Sequence, residues 1–392
     1  MISSPIENLI QLTDIAHTGR AVGRAADGRA IFVEYALPGE RAFVEITRQE
    51  KRYALGRARH IESPSPARVP PPCDHFGVCG GCQWQMMAYP AQLDYKRTIV
   101  RDQLTRVGGL PDAQVHPVIA APDPYHYRTH VTFHVTPDGR LAFVASDDRA
   151  LLPITFCYIM RPPLVQLFDH IRTMDFSGWE RVRLQAGSAD DDVLIALTDA
   201  RGTTSTRLRD AVRYTVRGKS FRATGGSFFQ VNLDQAGVLV DLVMAHIGAS
   251  VGHAVDLYSG VGLFTAFLAQ RAARVTSIES DARAVRDAQH NLAAYRHVIA
   301  HAASVDDSLP DRIACADLIV LDPPRAGVDA PALDALIRLN APKIVYVSCD
   351  PSTLARDAKK LVMGGYTLID VQPVDMFPHT FHIETVTVFA KE

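Results

Sequence analysis

From about residue 230 to its end the chain alternates short, continuously apolar runs with amphipathic stretches, and few architectures accept that pattern. The runs are Ala254-Val-Asp-Leu-Tyr258, Arg274-Val-Thr-Ser-Ile-Glu279, Leu318-Ile-Val-Leu-Asp322 and Lys343-Ile-Val-Tyr-Val-Ser348. Strands buried on both faces read this way, and the helical stretches between them, such as Asp281–Ala294, cover the faces of one sheet. The pattern predicts an α/β, doubly wound, Rossmann-like domain with a parallel sheet over residues 226–392. Ligands of such sheets bind beyond the carboxyl ends of the strands.

Those ends carry residues suited to chemistry. Asp256-Leu-Tyr258-Ser-Gly260-Val-Gly262 follows the first strand, and its glycines let the loop approach a ligand before a helix over Leu263–Gln270. Glu279 ends the next strand, where a carboxylate can accept hydrogen bonds from both ribose hydroxyls. This much suits a dinucleotide or S-adenosylmethionine. Asp322-Pro-Pro-Arg325-Ala-Gly is stiffened by two prolines beside an acid and a base. Loops of this kind at this place are common in methyltransferases that act on bases and uncommon in hydride-transfer enzymes. Cys349 follows the next strand; a lone cysteine there is ordinarily inert, but these surroundings point to a nucleophile. Glu384 brings a further carboxylate to the head of the last strand, Ile383–Ala390.

At 392 residues the chain exceeds one ordinary core, so further domains are expected. Residues 1–62 read as short strands, Ile6–Leu12, Arg29–Val33, Arg41–Ile46 and Tyr53–Ile61, joined by Gly-containing turns. They predict a small five-stranded barrel, a fold that often carries single-stranded RNA. The run SPSPARVPPP, residues 63–72, predicts a stiff linker. Residues 63–225 read as a central, β-rich domain, with strands such as Val131–Val135 and Asp192–Leu197. A helix near Ala91–Gly108, within a segment 84–108, is placed to pack on the catalytic domain.

Three of the six cysteines lie together in CDHFGVCGGC, as Cys73, Cys79 and Cys82, and the glycines let two sulfurs face one centre. Cys157 is the only other cysteine in the first half. A four-thiolate zinc site and a four-thiolate iron–sulfur cluster both fit the residues. Cys315 is expected to be a buried core residue. Six cysteines without an export signal suit a reducing, cytoplasmic setting, and no apolar run approaches the ~20 residues of a membrane span. The net charge of −2 hides an asymmetry: residues 1–225 carry 28 basic and 24 acidic side chains, residues 226–392 carry 13 and 19. Within 201–222 seven basic residues accompany one acid, Asp210. That run is either a solvated strand face or a local RNA-holding surface.

With these motifs in place, the chain resembles the RNA 5-methyluridine (uracil-C5) methyltransferase family, in its version with an N-terminal TRAM domain and a [4Fe-4S] cluster. The resemblance spans almost the whole chain and rests on CDHFGVCGGCQWQ, GSFFQVN, DLYSGVG, DPPRAG, SCDP and DMFPHTFHIE. It implies Cys349 as the nucleophile that adds to uracil C6 and Glu384 as the base that removes the C5 proton. Gln230, Tyr258, Gly260, Glu279 and Asp322 correspond to S-adenosylmethionine contacts, and Cys73, Cys79, Cys82 and Cys157 to cluster ligands. Arg128, His130 and Arg325 are implied RNA contacts, although Tyr127-Arg-Thr-His130 replaces the last two residues of the family's Tyr-Arg-Asn-Lys motif. Leu263 and Ala300-His-Ala-Ala-Ser304 also depart from the pattern on the adenine side. The implied substrate is 23S ribosomal RNA, with transfer RNA second, and the implied protein is a monomer. A non-catalytic RNA chaperone and an exocyclic-amine methyltransferase are the competing readings.

Overall fold

The computed structural model describes residues 8–146, 150–305, 309 and 313–391. Five strands open the chain: β1 (Asn8–Ile15), β2 (Ala21–Arg24), β3 (Ala30–Glu34), β4 (Arg41–Gln49) and β5 (Tyr53–Ser63). They close into a barrel in the order β1-β2-β3-β5-β4. Alternate residues point inward, so Ile10, Leu12, Ile31, Val33, Ala42 and Val44 form its core. Five strands are expected and four are marked in the sequence; β2, four residues with one glycine, is too short to show alternation. Ile6 and Glu7 of the expected first strand lie outside the described residues.

The proline-rich run after β5 is tied down and does not act as a free spacer. Glu40, fully buried, accepts hydrogen bonds from the Leu37 and Ser65 N–H groups and an ion pair from Arg68 at 2.6 Å. Helix α1 (Tyr89–Arg106) follows and turns Ile99, Val100 and Leu104 into the core of the C-terminal domain.

The central six-stranded sheet contains β6 (His130–Val135), β7 (Leu141–Val144), β8 (Leu151–Pro153), β9 (Arg181–Ala186), β10 (Val193–Thr198) and β11 (Thr204–Arg207). Their order is β11-β10-β9-β6-β7-β8. Helix α2 (Pro162–Ile171) covers one face through Leu164, Phe168 and Ile171. The hairpin β12 (Ala211–Val216) and β13 (Lys219–Thr224) precedes the expected boundary at 226. Its Tyr214 and Phe221 nevertheless pack with α3 (Leu233–Ala245) in the catalytic core.

The C-terminal domain adds β14 (Val251–Leu257), α4 (Leu263–Leu268), β15 (Ala272–Glu279), α5 (Ala282–Asn291), β16 (Val298–Ala302), β17 (Leu318–Leu321), α6 (Ala330–Leu339), β18 (Lys343–Ser348), α7 (Pro351–Met363), β19 (Thr367–Val374) and β20 (Glu384–Ala390). The sheet order is β16-β15-β14-β17-β18-β20-β19. The expected parallel sheet is present with one strand reversed: β20 runs antiparallel to both β18 and β19. That reversal decides where the site lies. The start of a reversed strand falls at the edge where its parallel neighbours end, and Thr385 pairs with Ser348.

Four of the seven basic residues in the run 201–222 have side-chain partners, while Arg201, Arg207 and Arg213 are exposed. Arg217 pairs with Asp241, Arg222 with buried Asp287 and Arg209 with Asp191, while Lys219 donates to the Tyr295 hydroxyl. No helix among the described residues is long and apolar enough to cross a membrane.

Candidate active site

Five strand termini meet along the sheet's carboxyl edge. Read across it, they supply Glu279 at the end of β15, Tyr258 and Gly260 after β14, Asp322 after β17, Cys349 after β18 and Glu384 at the start of β20. Strand order changes direction between β14 and β17, which opens a crevice there. All six residues line one cavity of about 690 Å³, together with Gln230 from the loop before α3 and Arg325 from the Asp-Pro-Pro-Arg loop. Leu263 and Ser304 lie on the same wall.

The Glu279 carboxylate is oriented by its own loops: it accepts the Gly260 N–H at 2.9 Å and the Asp281 N–H at 2.7 Å. The chain leaves β14 with Tyr258 at φ 60°, a left-handed conformation that a non-glycine residue seldom adopts. Such strain collects where a backbone must meet a ligand. Beneath the loop, Asp256 is fully buried and accepts a hydrogen bond from the Thr265 hydroxyl. Burial pushes its carboxyl up to about 7.

The other half of the cavity is a cluster of acids around a thiol. Burial raises the Asp322 carboxyl to about 7, with the Asp256 charge adding to the effect. Gln230 Nε2 donates to Asp322 Oδ2 at 3.2 Å. Glu384, 2% exposed, is pushed well above the usual carboxylate range by burial and then by Asp322, while Arg325 opposes the shift. The Cys349 thiol is pushed up to about 12 by burial, then by Glu384 and Asp322, and again Arg325 opposes. Left alone, the site therefore holds a neutral thiol. A cation placed among these acids would lower all three values together.

Three lining or supporting groups escaped the sequence reading. Phe228, 58% exposed, stands at the cavity beside Gln230, and Phe377 comes from the loop before β20. The Phe-Phe pair in GSFFQ signals Phe228, and DMFPHTFHIE carries both Phe377 and His382. Arg325 donates to a His382 ring nitrogen at 3.1 Å, and burial together with that guanidinium pushes His382 down to about 3.

The four clustered cysteines also converge, in a second cavity. Cys73, Cys79, Cys82 and Cys157 line about 250 Å³ of space between the CDHFGVCGGC loop and the central sheet. Burial raises Cys82 to about 12 and Cys157 to about 11. Among the described residues no group of three or more His, Cys, Asp or Glu residues could hold a single metal ion. The thiols thus share a space without closing on one point. Cys315 is exposed and does not enter the core as expected: it stands between buried Ile313 and Ala316 just before β17, and its carbonyl meets the His253 ring at 2.7 Å.

The expected RNA contacts divide. Arg325 reaches the catalytic cavity, whereas Arg128 lines the cysteine cavity. In the protein without RNA, His130 is held away from the charged form expected of a phosphate-binding cation. Burial, then Arg183 and Arg128, push its pKa well below the ordinary histidine value, so the ring is neutral at physiological pH.

Comparison with known proteins gives this arrangement its context. Residues 306–392 match the family model of tRNA (Uracil-5-)-methyltransferase, residues 218–339 that of the methyltransferase small domain, and residues 8–58 that of the TRAM domain. An uncharacterized RNA methyltransferase of Streptomyces avermitilis is 35% identical, covering 97% of this chain and 97% of that protein. One from Gloeobacter violaceus is 32% identical over 97% and 96%. In structure the chain is similar to Pyrococcus abyssi tRNA (uracil-54, C5)-methyltransferase, solved with S-adenosyl-L-homocysteine. The TM-score is 0.76 at 23% identity, over 98% of this chain and 100% of that one, which is a likeness of fold.

Proposed function

The chain belongs to the RNA uracil-C5 methyltransferase family with an N-terminal TRAM domain, and from that premise we propose how its residues divide the reaction. The observation that carries the reading is the meeting of Cys349, Glu384 and Asp322 in one cavity with Glu279. S-adenosylmethionine, when bound, supplies an electrophilic methyl group on a positively charged sulfur. Glu279, held by the Gly260 and Asp281 N–H groups, takes the ribose hydroxyls; Gln230, Tyr258 and Gly260 shape the rest of that half. Positive charge in the cavity favours ionised Asp322, Glu384 and Cys349, which burial beside one another disfavours.

Uracil C5 is too weak a nucleophile to take a methyl group unaided. Cys349 loses its thiol proton to solvent, the thiolate Sγ forms a bond to C6, and the electron pair of the C5–C6 double bond moves onto C5. C5 takes the methyl group as the sulfur–methyl bond breaks, releasing S-adenosylhomocysteine. Glu384 then accepts the C5 proton, the double bond returns and the Sγ–C6 bond breaks. Proton transfer by a positioned group contributes about 10²–10⁴-fold. Asp322 holds a uracil N–H, Arg325 contacts the RNA strand, and the target base must be unstacked to enter.

The second cavity is assigned to a [4Fe-4S] cluster held by Cys73, Cys79, Cys82 and Cys157. The support is that four thiols, and no other thiol, share one space beside Arg128. Purified protein should be brown, with visible absorbance and near-stoichiometric iron and sulfide; colourless, zinc-replete protein would refute the cluster. The proposed substrate is 23S ribosomal RNA. Transfer RNA is the second reading, favoured by the name of the family model that matches residues 306–392. Methyl transfer to each unmodified RNA, followed by mapping of the modified nucleotide, decides between them.

A further inference from the structure

The loop between β19 and β20, Asp375–Ile383, carries Phe377 to the cavity and ends immediately before Glu384. Its backbone is held from outside the α/β sheet. The Phe377 carbonyl accepts from Lys96 Nζ at 3.0 Å and the Pro378 carbonyl from the Tyr127 hydroxyl at 3.2 Å. The His379 N–H donates to Gln92 Oε1 at 2.9 Å. The His379 carbonyl accepts the N–H groups of Gln83 and Trp84, at 3.0 and 2.9 Å. Three successive residues are thus fixed by partners that all lie between residues 83 and 127.

Lys96 is the least expected of these partners. Its side chain and that of Asp375 are both fully buried, joined at 2.6 Å. Taking two charges out of water costs about as much as their attraction returns, so an apolar pair would serve stability as well or better. An ammonium group nevertheless does what no apolar side chain can. It donates at once to a carboxylate at the start of the loop and to the Phe377 carbonyl two residues on. Gln92, one helical turn earlier on α1, accepts from His379, which sits at φ 65° with its ring stacked 4.2 Å from Tyr125. A left-handed histidine persists only where its surroundings fix it.

We propose that Lys96 and Gln92 are positioning residues for the catalytic step: α1 is a template that sets the 375–383 loop, and through it aims Glu384 at the C5 proton. The inference rests on the methyl-transfer reading above. It explains why two polar side chains occupy the buried face of α1, beside Ile99 and Val100.

The test uses full-length Lys96→Met, the paired variant Lys96→Met/Asp375→Asn, which leaves no unpaired buried carboxylate, and Gln92→Met. Misplacing a reacting group by about 1 Å costs about 10²-fold, so turnover should fall by about 10- to 100-fold. The KM for RNA and the affinity for S-adenosylmethionine should change by less than about threefold. Because the step through Glu384 is the one slowed, RNA should accumulate as a covalent adduct stable on a denaturing gel. Loss of folded protein would lower activity in proportion to the unfolded fraction and would form no adduct. Wild-type turnover in both the paired variant and Gln92→Met overturns the proposal, as does reduced turnover without adduct in either. If Lys96→Met does not fold, Gln92→Met, which removes no charge, gives the same reading. Wild-type protein that transfers no methyl group would refute the functional reading itself, and this inference with it.

Discussion

In the protein without ligands, Cys349 is expected to ionise far above an ordinary cysteine, and the charges around it should move that ionisation in opposite directions. With the thiol raised to about 12, only about 10⁻³ of it is thiolate at pH 9, where a cysteine of pKa 8.5 is mostly ionised. Two side chains of opposite sign flank it. Asp322, raised only to about 7, is ionised at pH 9, so Asp322→Asn removes a real negative charge. Arg325 opposes the rise, so Arg325→Gln removes a positive one. One pKa unit is a tenfold change in thiolate. Iodoacetamide alkylation at pH 9 should thus speed up by about tenfold in the first variant and slow by about tenfold in the second. The assay is the pH–rate profile of alkylation at the Cys349 peptide, read by mass spectrometry, so the other five cysteines do not interfere. Access scales the whole profile and leaves its inflection in place, which makes the inflection the quantity to compare. A wild-type inflection near 8.5, or variants that shift in the same direction, would refute this electrostatic account.

Other expectations follow from neighbouring contacts. Glu384→Gln should form the methylated covalent adduct but release product about 10²–10⁴-fold more slowly; free 5-methyluridine at the wild-type rate would remove Glu384 from the mechanism. His382 is held near a pKa of about 3 in the folded protein against about 6.5 when unfolded. Between those values the unfolded chain takes up the proton first, so this group costs stability as pH falls. His382→Gln should accordingly narrow its melting-temperature deficit, or gain on wild type, on going from pH 7 to pH 5. Buried Glu40 anchors Arg68 and two backbone N–H groups. Glu40→Ala should destabilise the barrel end by about 3 kcal/mol, measured by denaturant unfolding.

The legible parts of this molecule are those whose chemistry is local. Gly260, Glu279, Asp322 and Cys349 each stand at or just beyond the end of an apolar run, so recognising the strand also places the residue. Glu384 is different: its motif was visible, but its meeting with Cys349 depends on β20 running backwards, which periodicity does not encode. Strand β2 went unseen because four residues containing a glycine carry no alternation. Helix α1 shows why packing was harder to read than chemistry. Its buried face includes Gln92 and Lys96, so a pattern of apolar positions underreports what it buries. The same holds for the basic run, where sequence counts charges and only the fold supplies Asp241 and Asp287 as their partners. His130 was read as a potential cation because its burial is a tertiary property.

The central claim is that this cavity exchanges a proton for a methyl group at uracil C5 by way of Cys349. RNA carrying tritium at uridine C5, incubated with the protein and S-adenosylmethionine labelled in its methyl group, reads both halves of that exchange. The account predicts one tritium released to water for each methyl group gained, and neither with Cys349→Ala. Methyl incorporation without tritium release would place the chemistry on another atom and contradict it.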